Sequence, residues 1–148
     1  MNDKHLLIRL CGNAKKYAVP FGCGLFFIVL LKFIFFIGYV PTASMDPAIK
    51  EGSIIFGVRT FSELRRGEIV VFIHDELLLV KRIAGIPGDT VYTENGSILT
   101  IPEGHYFMIG DNTADSYDSR HWDRPFVSHD NVVAVLLFIP NMFRMPTI

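Results

Sequence analysis

The stretch LFFIVLLKFIFFIGYVPTASM, residues 25–45, joins a long apolar run to a short polar turn. From Tyr17 to Val40 the only charged residue is Lys32, and a run of roughly 20 apolar residues matches the hydrocarbon core of a bilayer. A cleaved signal peptide has a shorter apolar core followed by small residues, whereas residues 33–40 are bulky. We therefore expect residues 17–40 to form an uncleaved transmembrane anchor.

The charges on either side of this run predict its orientation. Residues 1–16 carry Lys4, Arg9, Lys15 and Lys16 against one acidic residue, so the positive-inside rule places them in the cytoplasm. Residues 41–148 then form an extracytoplasmic domain of a single-pass protein in the cell membrane. This domain has fourteen acidic residues against nine Lys and Arg, which argues against nucleic acid as a partner.

Short alternating apolar segments follow the anchor and predict a mainly β domain. The predicted strands are SIIFGVR (53–59), EIVVFIH (68–74), LLLVKRIAGI (77–86), HYFMIG (105–110) and NVVAVLLFI (131–139). VYTENGSILT (91–100) is typical of a hairpin with Asn95 and Gly96 at its turn. SELRRG (62–67) has room for one helical turn.

Ser44 and Lys81 are the two candidate reactive residues. Pro41 and Pro47 flank Ser44, which favours a turn over a regular helix. A serine nucleophile needs a base, and no histidine is clearly placed to serve as one. Within a strand Lys81 shares a face with apolar Leu79 and Ile83, and burial of a lysine lowers its pKa until it can act as a general base. On this pattern alone, a lysine with its head at the edge of a sheet is the favoured interpretation.

The segment GDNTADSYDSRHW, residues 110–122, concentrates acidic residues, Asn, Ser and Arg. Its composition favours a solvated loop, and a buried polar network that orients a site is the alternative. The four histidines of residues 41–148 show no metal-ligand spacing, and both cysteines lie within residues 1–40. We therefore expect no metal, no cofactor and no thiol nucleophile.

Four segments in order resemble the type I signal peptidases, the membrane serine proteases that remove signal peptides from exported proteins. They are PTASMDPAI (41–49), GEIVVF (67–72), VKRIAGIPGD (80–89) and GDNTADSYDSRHW (110–122). The resemblance implies a signal-peptidase-type β domain behind one N-terminal transmembrane helix. It also implies that the partners are the lipid bilayer and preprotein signal peptides, and it leaves the oligomeric state open.

The resemblance assigns roles to individual residues. Ser44 matches the nucleophile and Lys81 the general base, while the Thr42 hydroxyl and the Ser44 N–H match the oxyanion donors. Ser116 matches the serine that orients the lysine, and Gly110 matches a glycine beside it. Asp118 and Arg120 match a pair that holds the last segment in place. Val40, Met45 and Val80 match positions lining shallow pockets for small side chains at −1 and −3 of the substrate.

Two positions depart from the family pattern, since Thr113 replaces an arginine and Asp123 replaces a glycine. Three other functions stay open. The first is a peptidase dedicated to pilin or conjugation-system preproteins, and the second is a binder of exported chains without catalytic activity. The third is a self-cleaving repressor, against which the anchor and the lack of a DNA-binding segment count.

Overall fold

A computed structural model describes residues 3–93 and 96–138, and the chain divides after Ile34 into two units. The first unit contains helix α1, Asp3–Ile34. Its part from Tyr17 to Ile34 has 18 residues with a mean hydropathy of 2.0, long and apolar enough to cross a membrane. This helix fits the predicted anchor.

The helix ends earlier than predicted for the anchor, at Ile34 rather than Val40. Residues Phe35–Tyr39 form a strand, β1, which pairs antiparallel with a second strand, β2, Ile54–Val58. The apolar run continues through this boundary, so composition alone does not mark it. Phe36 and Val40 are buried in a core of the second unit, which accounts for their apolar character, whereas Phe35, Ile37 and Tyr39 are exposed.

The second unit is built on an antiparallel sheet of seven strands, which confirms the prediction of a mainly β domain. The sheet order is β1-β2-β9-β3-β4-β7-β8, and β5 and β6 form a separate hairpin. The remaining bounds are β3 Ile69–His74, β4 Leu77–Gly85, β5 Thr90–Tyr92, β6 Ile98–Thr100, β7 His105–Ile109, β8 Phe126–Ser128 and β9 Val132–Phe138.

The predicted strands are present, and the structure differs from the sequence-based expectations in three details. Strand β8 has three residues and was not predicted. Residues 62–67 contain no helical turn. The hairpin strands β5 and β6 pair as expected, but Asn95 of its predicted turn lies outside the described residues.

Apolar side chains pack on both faces of the sheet. Val70 and Phe72 belong to one core and Val71, between them, to the other, as alternation along a strand requires. Cross-strand pairing extends these faces onto β4, because Val70 lies opposite Lys81 and Val71 lies opposite Val80. Lys81 and Val80 therefore project to opposite faces of the sheet.

Strand β4 is paired differently along its length. Along one edge, β3 pairs with residues from Leu77 to Arg82. Along the other edge, β7 pairs only with residues from Arg82 to Gly85. Among the described strands, none pairs with the second edge of residues 77–81. Strand β1 is likewise the outermost of the described strands at its end of the sheet.

Candidate active site

Ser44 lies in a single 3₁₀ turn, Ala43–Met45, shortly after β1. The predicted turn is therefore confirmed. Met45 is 0% exposed and packs into the same core as Phe36 and Val40. This packing fixes the turn to the core. The Thr42 hydroxyl lies 3.3 Å from Ser44 Oγ, so the two side chains share a hydrogen bond.

Asn112 holds this turn from the other side. Its backbone N–H donates to the Ser44 carbonyl at 3.1 Å, and its side-chain amide donates to the Ala43 carbonyl at 3.1 Å. Asn112 was not among the site residues predicted from the sequence. The available signal was its position after Gly110 and Asp111 in a polar segment, but nothing local indicates a partner so far away in the chain.

Lys81 is buried at 3% exposure, so the alternative that the pattern alone favoured, a lysine with its head at the edge of the sheet, is wrong. Its Nζ donates to Ser116 Oγ at 2.9 Å. Burial lowers the pKa of Lys81, since the protonated amine loses hydration. The Asp118 charge opposes this shift in pKa and the Arg120 charge adds to it. The net result is an amine that gives up its proton more easily than an ordinary lysine.

Ser116 connects Lys81 to Asp118. The Ser116 hydroxyl donates to Asp118 Oδ2 at 2.7 Å, and a hydroxyl has only one hydrogen to give. Ser116 must then accept from Lys81. The direction of these two hydrogen bonds is therefore fixed. The Lys81 amine donates to Ser116, and when it is neutral its lone pair remains available to another partner.

Asp118 is the acceptor at the centre of this network, at 0% exposure. Arg120 Nε donates to its Oδ1 at 2.8 Å, and the Gly110 N–H donates to its Oδ2 at 2.9 Å. Burial alone would raise the pKa of Asp118, but the bonds from Arg120, Gly110 and Ser116 outweigh burial and lower it. The carboxylate therefore stays ionised at neutral pH. The expectation of a solvated loop is wrong for this part of the segment, which is a buried polar network.

Gly110 is required by the closeness of its neighbours. A Cβ at this position would overlap the Ser116 hydroxyl and lie 2.5 Å from the Ser44 carbonyl oxygen. The Ser44 turn and Ser116 thus pack against the same Cα. Any larger residue would displace either the turn or the group that orients Lys81.

Two grooves meet at Ser44 and Lys81, and both residues line both of them. The first, which we call the apolar groove, has a volume of about 240 Å³. Residues of β1 and of the first half of β4 line it, together with Ile55 and Val71. The second, the polar groove, has a volume of about 520 Å³ and includes His74, Asp115, Trp122, Asp123 and Arg124.

Comparison with known proteins identifies the family. The family model described as signal peptidase, peptidase S26, matches residues 15–101 and 93–140. The chain belongs to the peptidase S26 family of signal peptidases. This confirms the resemblance to type I signal peptidases and the prediction of a serine peptidase.

Individual relatives agree with this assignment. Signal peptidase I of Pseudomonas aeruginosa is 27% identical, covering 80% of this chain and 68% of its own length. Signal peptidase I of Bacillus licheniformis is 30% identical over 64% of this chain and 70% of its own length. Signal peptidase I S of Bacillus subtilis is 28% identical over 64% of this chain and 71% of its own length.

In this peptidase S26 member, most of the predicted site residues lie together. Thr42, Ser44 and Lys81 share both grooves, and the network behind Lys81 contains Gly110, Ser116, Asp118 and Arg120. Val40 and Val80 line the apolar groove. Met45 lines neither groove and lies in the core beside Val40.

Proposed function

We propose that the protein is a membrane-bound serine endopeptidase that removes N-terminal signal peptides from exported preproteins, cutting after a small residue such as alanine. Ser44 is the nucleophile and Lys81 the general base. One observation carries this proposal: a buried lysine with a lowered pKa lines the same grooves as a serine held in a tight turn. Membership of the peptidase S26 family supports it.

The hydrogen-bond polarity around Ser116 supports the direction of proton transfer. Because Lys81 donates to Ser116, the lone pair of its neutral form is available for the Ser44 proton. Ser44 Oγ then attacks the carbonyl of the −1 residue, and protonated Lys81 returns the proton to the leaving amine as the peptide bond breaks. Neutral Lys81 next takes a proton from the water that hydrolyses the acyl-enzyme.

The negative charge that develops on the carbonyl oxygen needs hydrogen-bond donors. The Ser44 backbone N–H is one, and the Thr42 hydroxyl, already within 3.3 Å of Ser44 Oγ, is the other. Loss of one such donor in other proteases costs a factor of about 10² to 10³ in kcat. We therefore infer that Thr42 is needed as the second donor to the oxyanion.

Strand pairing accounts for substrate binding. The apolar groove is lined by β1 and by residues 78–81 of β4, and both strands have an unpaired edge among the described strands. An extended peptide can therefore add as a strand between them. Its −1 and −3 side chains enter the groove beside Val40 and Val80, where the small volume favours alanine.

The anchor sets where this chemistry takes place. The helix from Tyr17 to Ile34 spans the bilayer, and the basic residues before it keep the N-terminus in the cytoplasm. The catalytic domain then lies on the outer face of the cell membrane. The cleavage site of a signal peptide emerges on that side while its apolar core is still in the bilayer.

The test is cleavage of a preprotein with an Ala-X-Ala site by the full chain in detergent, beside Ser44→Ala and Lys81→Ala. We expect cleavage after the second alanine by the wild type and none by either variant. Circular dichroism controls for folding of each variant. Cleavage that survives Ser44→Ala in folded protein would disprove the assigned nucleophile.

A further inference from the structure

The polar groove is not used by the mechanism above, yet it opens onto the same two reactive residues. Leu77 lines only the polar groove, and Leu78 and Val80 line only the apolar groove. Leu79 and Lys81 line both. Since successive side chains of a strand point to opposite faces, the two grooves follow the two faces of the open half of β4.

A peptide added to the open edge of β4 must obey the same alternation. Cross-strand neighbours share a face, and successive residues of the peptide point to opposite faces. If the −1 and −3 side chains enter the apolar groove, the −2 side chain points to the face of the polar groove. With about 520 Å³ against about 240 Å³, the polar groove has room for a much longer side chain.

The charges lining the polar groove do not balance. Asp75 and Arg124 form an ion pair at 3.0 Å and offset each other. The His74 ring stacks on the Trp122 ring, with 3.8 Å between the ring centroids. Burial lowers the pKa of His74, with opposing effects from Asp75 and Arg124, and keeps it neutral near pH 7. Asp115 and Asp123 form no ion pair with any residue that the structure describes. Lys81 also lines this groove, and even with its amine protonated three carboxylates face two cations, so the groove is negatively charged.

We propose that the polar groove is the subsite for the −2 side chain of the substrate, and that Asp115 and Asp123 make it prefer Lys or Arg there over Glu. This inference rests on the proposed peptidase function. It gives the middle residue of an Ala-X-Ala site a specificity of its own. It also gives Asp123, one of the two departures from the family pattern, a role in recognising clients.

The test uses peptides that differ only at −2, with Ala-Lys-Ala, Ala-Gln-Ala or Ala-Glu-Ala before the cleaved bond. For the full-length wild type we expect kcat/KM to be on the order of fivefold higher with Lys than with Glu, since each exposed charge pair contributes modestly. High ionic strength should reduce this Lys/Glu ratio.

Variants locate the source of the preference. Asp115→Asn and Asp123→Asn should each lower the Lys/Glu ratio by about twofold, and Asp123→Lys should bring the ratio to one or below. The ratio is taken within each variant, so a general change in rate cancels, including any effect of Asp115 on the pKa of Lys81. Glu63→Gln is the matched control, because Glu63 is exposed and lines neither groove.

Each outcome is decisive. A wild-type ratio near one, or a ratio that neither asparagine variant alters, overturns the proposal. A second peptide set carries Lys or Glu at +1 with Gln at −2. If Asp123→Lys changes the preference at +1 and not at −2, the polar groove serves the leaving side and the proposal is wrong. If no peptide shows Ser44-dependent cleavage, the peptidase function itself fails.

Discussion

The two halves of β4 differ in what covers their edges. Arg82 pairs with β3 on one edge and with β7 on the other, and the pairing with β7 continues to Gly85. Ile83 also exchanges backbone hydrogen bonds with Gly67 and Glu68, just before β3, and Arg82 binds Asp111 through Nε at 2.7 Å. From Leu77 to Lys81 it is paired on one side only and lines both grooves. Lys81 is the last residue of the open half. One strand therefore fixes the amine through its covered half and leaves the adjoining edge free for a substrate.

The largest effect should come from replacing the residue at the border between the halves. Lys81→Met should abolish cleavage while raising the free energy of unfolding near pH 7 by about 1 kcal/mol, because an apolar side chain is not penalised by burial as an amine is. The measurement is urea denaturation of both proteins, with cleavage of an Ala-X-Ala substrate alongside.

The pH dependence of the free energy of unfolding provides a further test of the Lys81→Met prediction. In the folded protein the pKa of Lys81 lies below its ordinary value of 10.5, so the folded state binds this proton less tightly than the unfolded state does. Wild-type stability then rises as the pH approaches 10.5, and the advantage of Lys81→Met shrinks. A constant difference between neutral and alkaline pH would contradict a buried amine at this position.

A smaller effect is expected from the carboxylate behind the lysine. Asp118→Asn removes a buried carboxylate that accepts hydrogen bonds from Arg120, Gly110 and Ser116, and should lower the free energy of unfolding by about 3 kcal/mol. Because the Asp118 charge raises the pKa of Lys81, its removal should also move the acid limb of the pH–kcat profile to lower pH. Asp115→Asn should move the limb the same way with little loss of stability. A shift to higher pH would show that this charge does not act on Lys81.

The smallest effect concerns the open half itself. Methylating the backbone nitrogen of the −2 or the −3 residue removes one hydrogen-bond donor from the substrate. Each methyl group should lower kcat/KM by about three- to tenfold, the value of one hydrogen bond, because a strand between β1 and β4 donates alternately to the two edges. If neither methyl group reduces kcat/KM, the substrate does not add as a strand.

Arg82→Gln is the matched change in the covered half. It removes the Arg82–Asp111 ion pair, which is partly exposed, and should cost about 1 kcal/mol of stability. The ratio of kcat/KM between methylated and unmethylated peptides should stay as in the wild type, because no part of the open edge is altered. A changed ratio would mean that the two halves of β4 are not independent.

The sequence predicted the strands whose apolar residues alternate. Leu79 and Ile83 on the face of Lys81 were only a weak indication that it points inward, and the resemblance to the family supplied its role. The sequence did not predict β1, since FFIGY reads as a continuation of the membrane helix until β2 pairs with it. Composition likewise favoured a solvated segment where Asp118 is buried. The clamp of Asn112 on Ala43 joins residues distant in sequence, and no local pattern encodes such a contact.

The position of β9 has a consequence for how the protein is made. This strand is the last of those described, yet it lies between β2 and β3. Ser44 follows β1, and Lys81 lies on β4, so within the described strands the backbone pairing between β1–β2 and β3–β4 runs through residues 132–138 of β9. A nascent chain emerging from its N-terminus carries both residues long before that strand arrives. We therefore expect the growing chain to be inactive toward its neighbours until β9 has paired with β2 and β3.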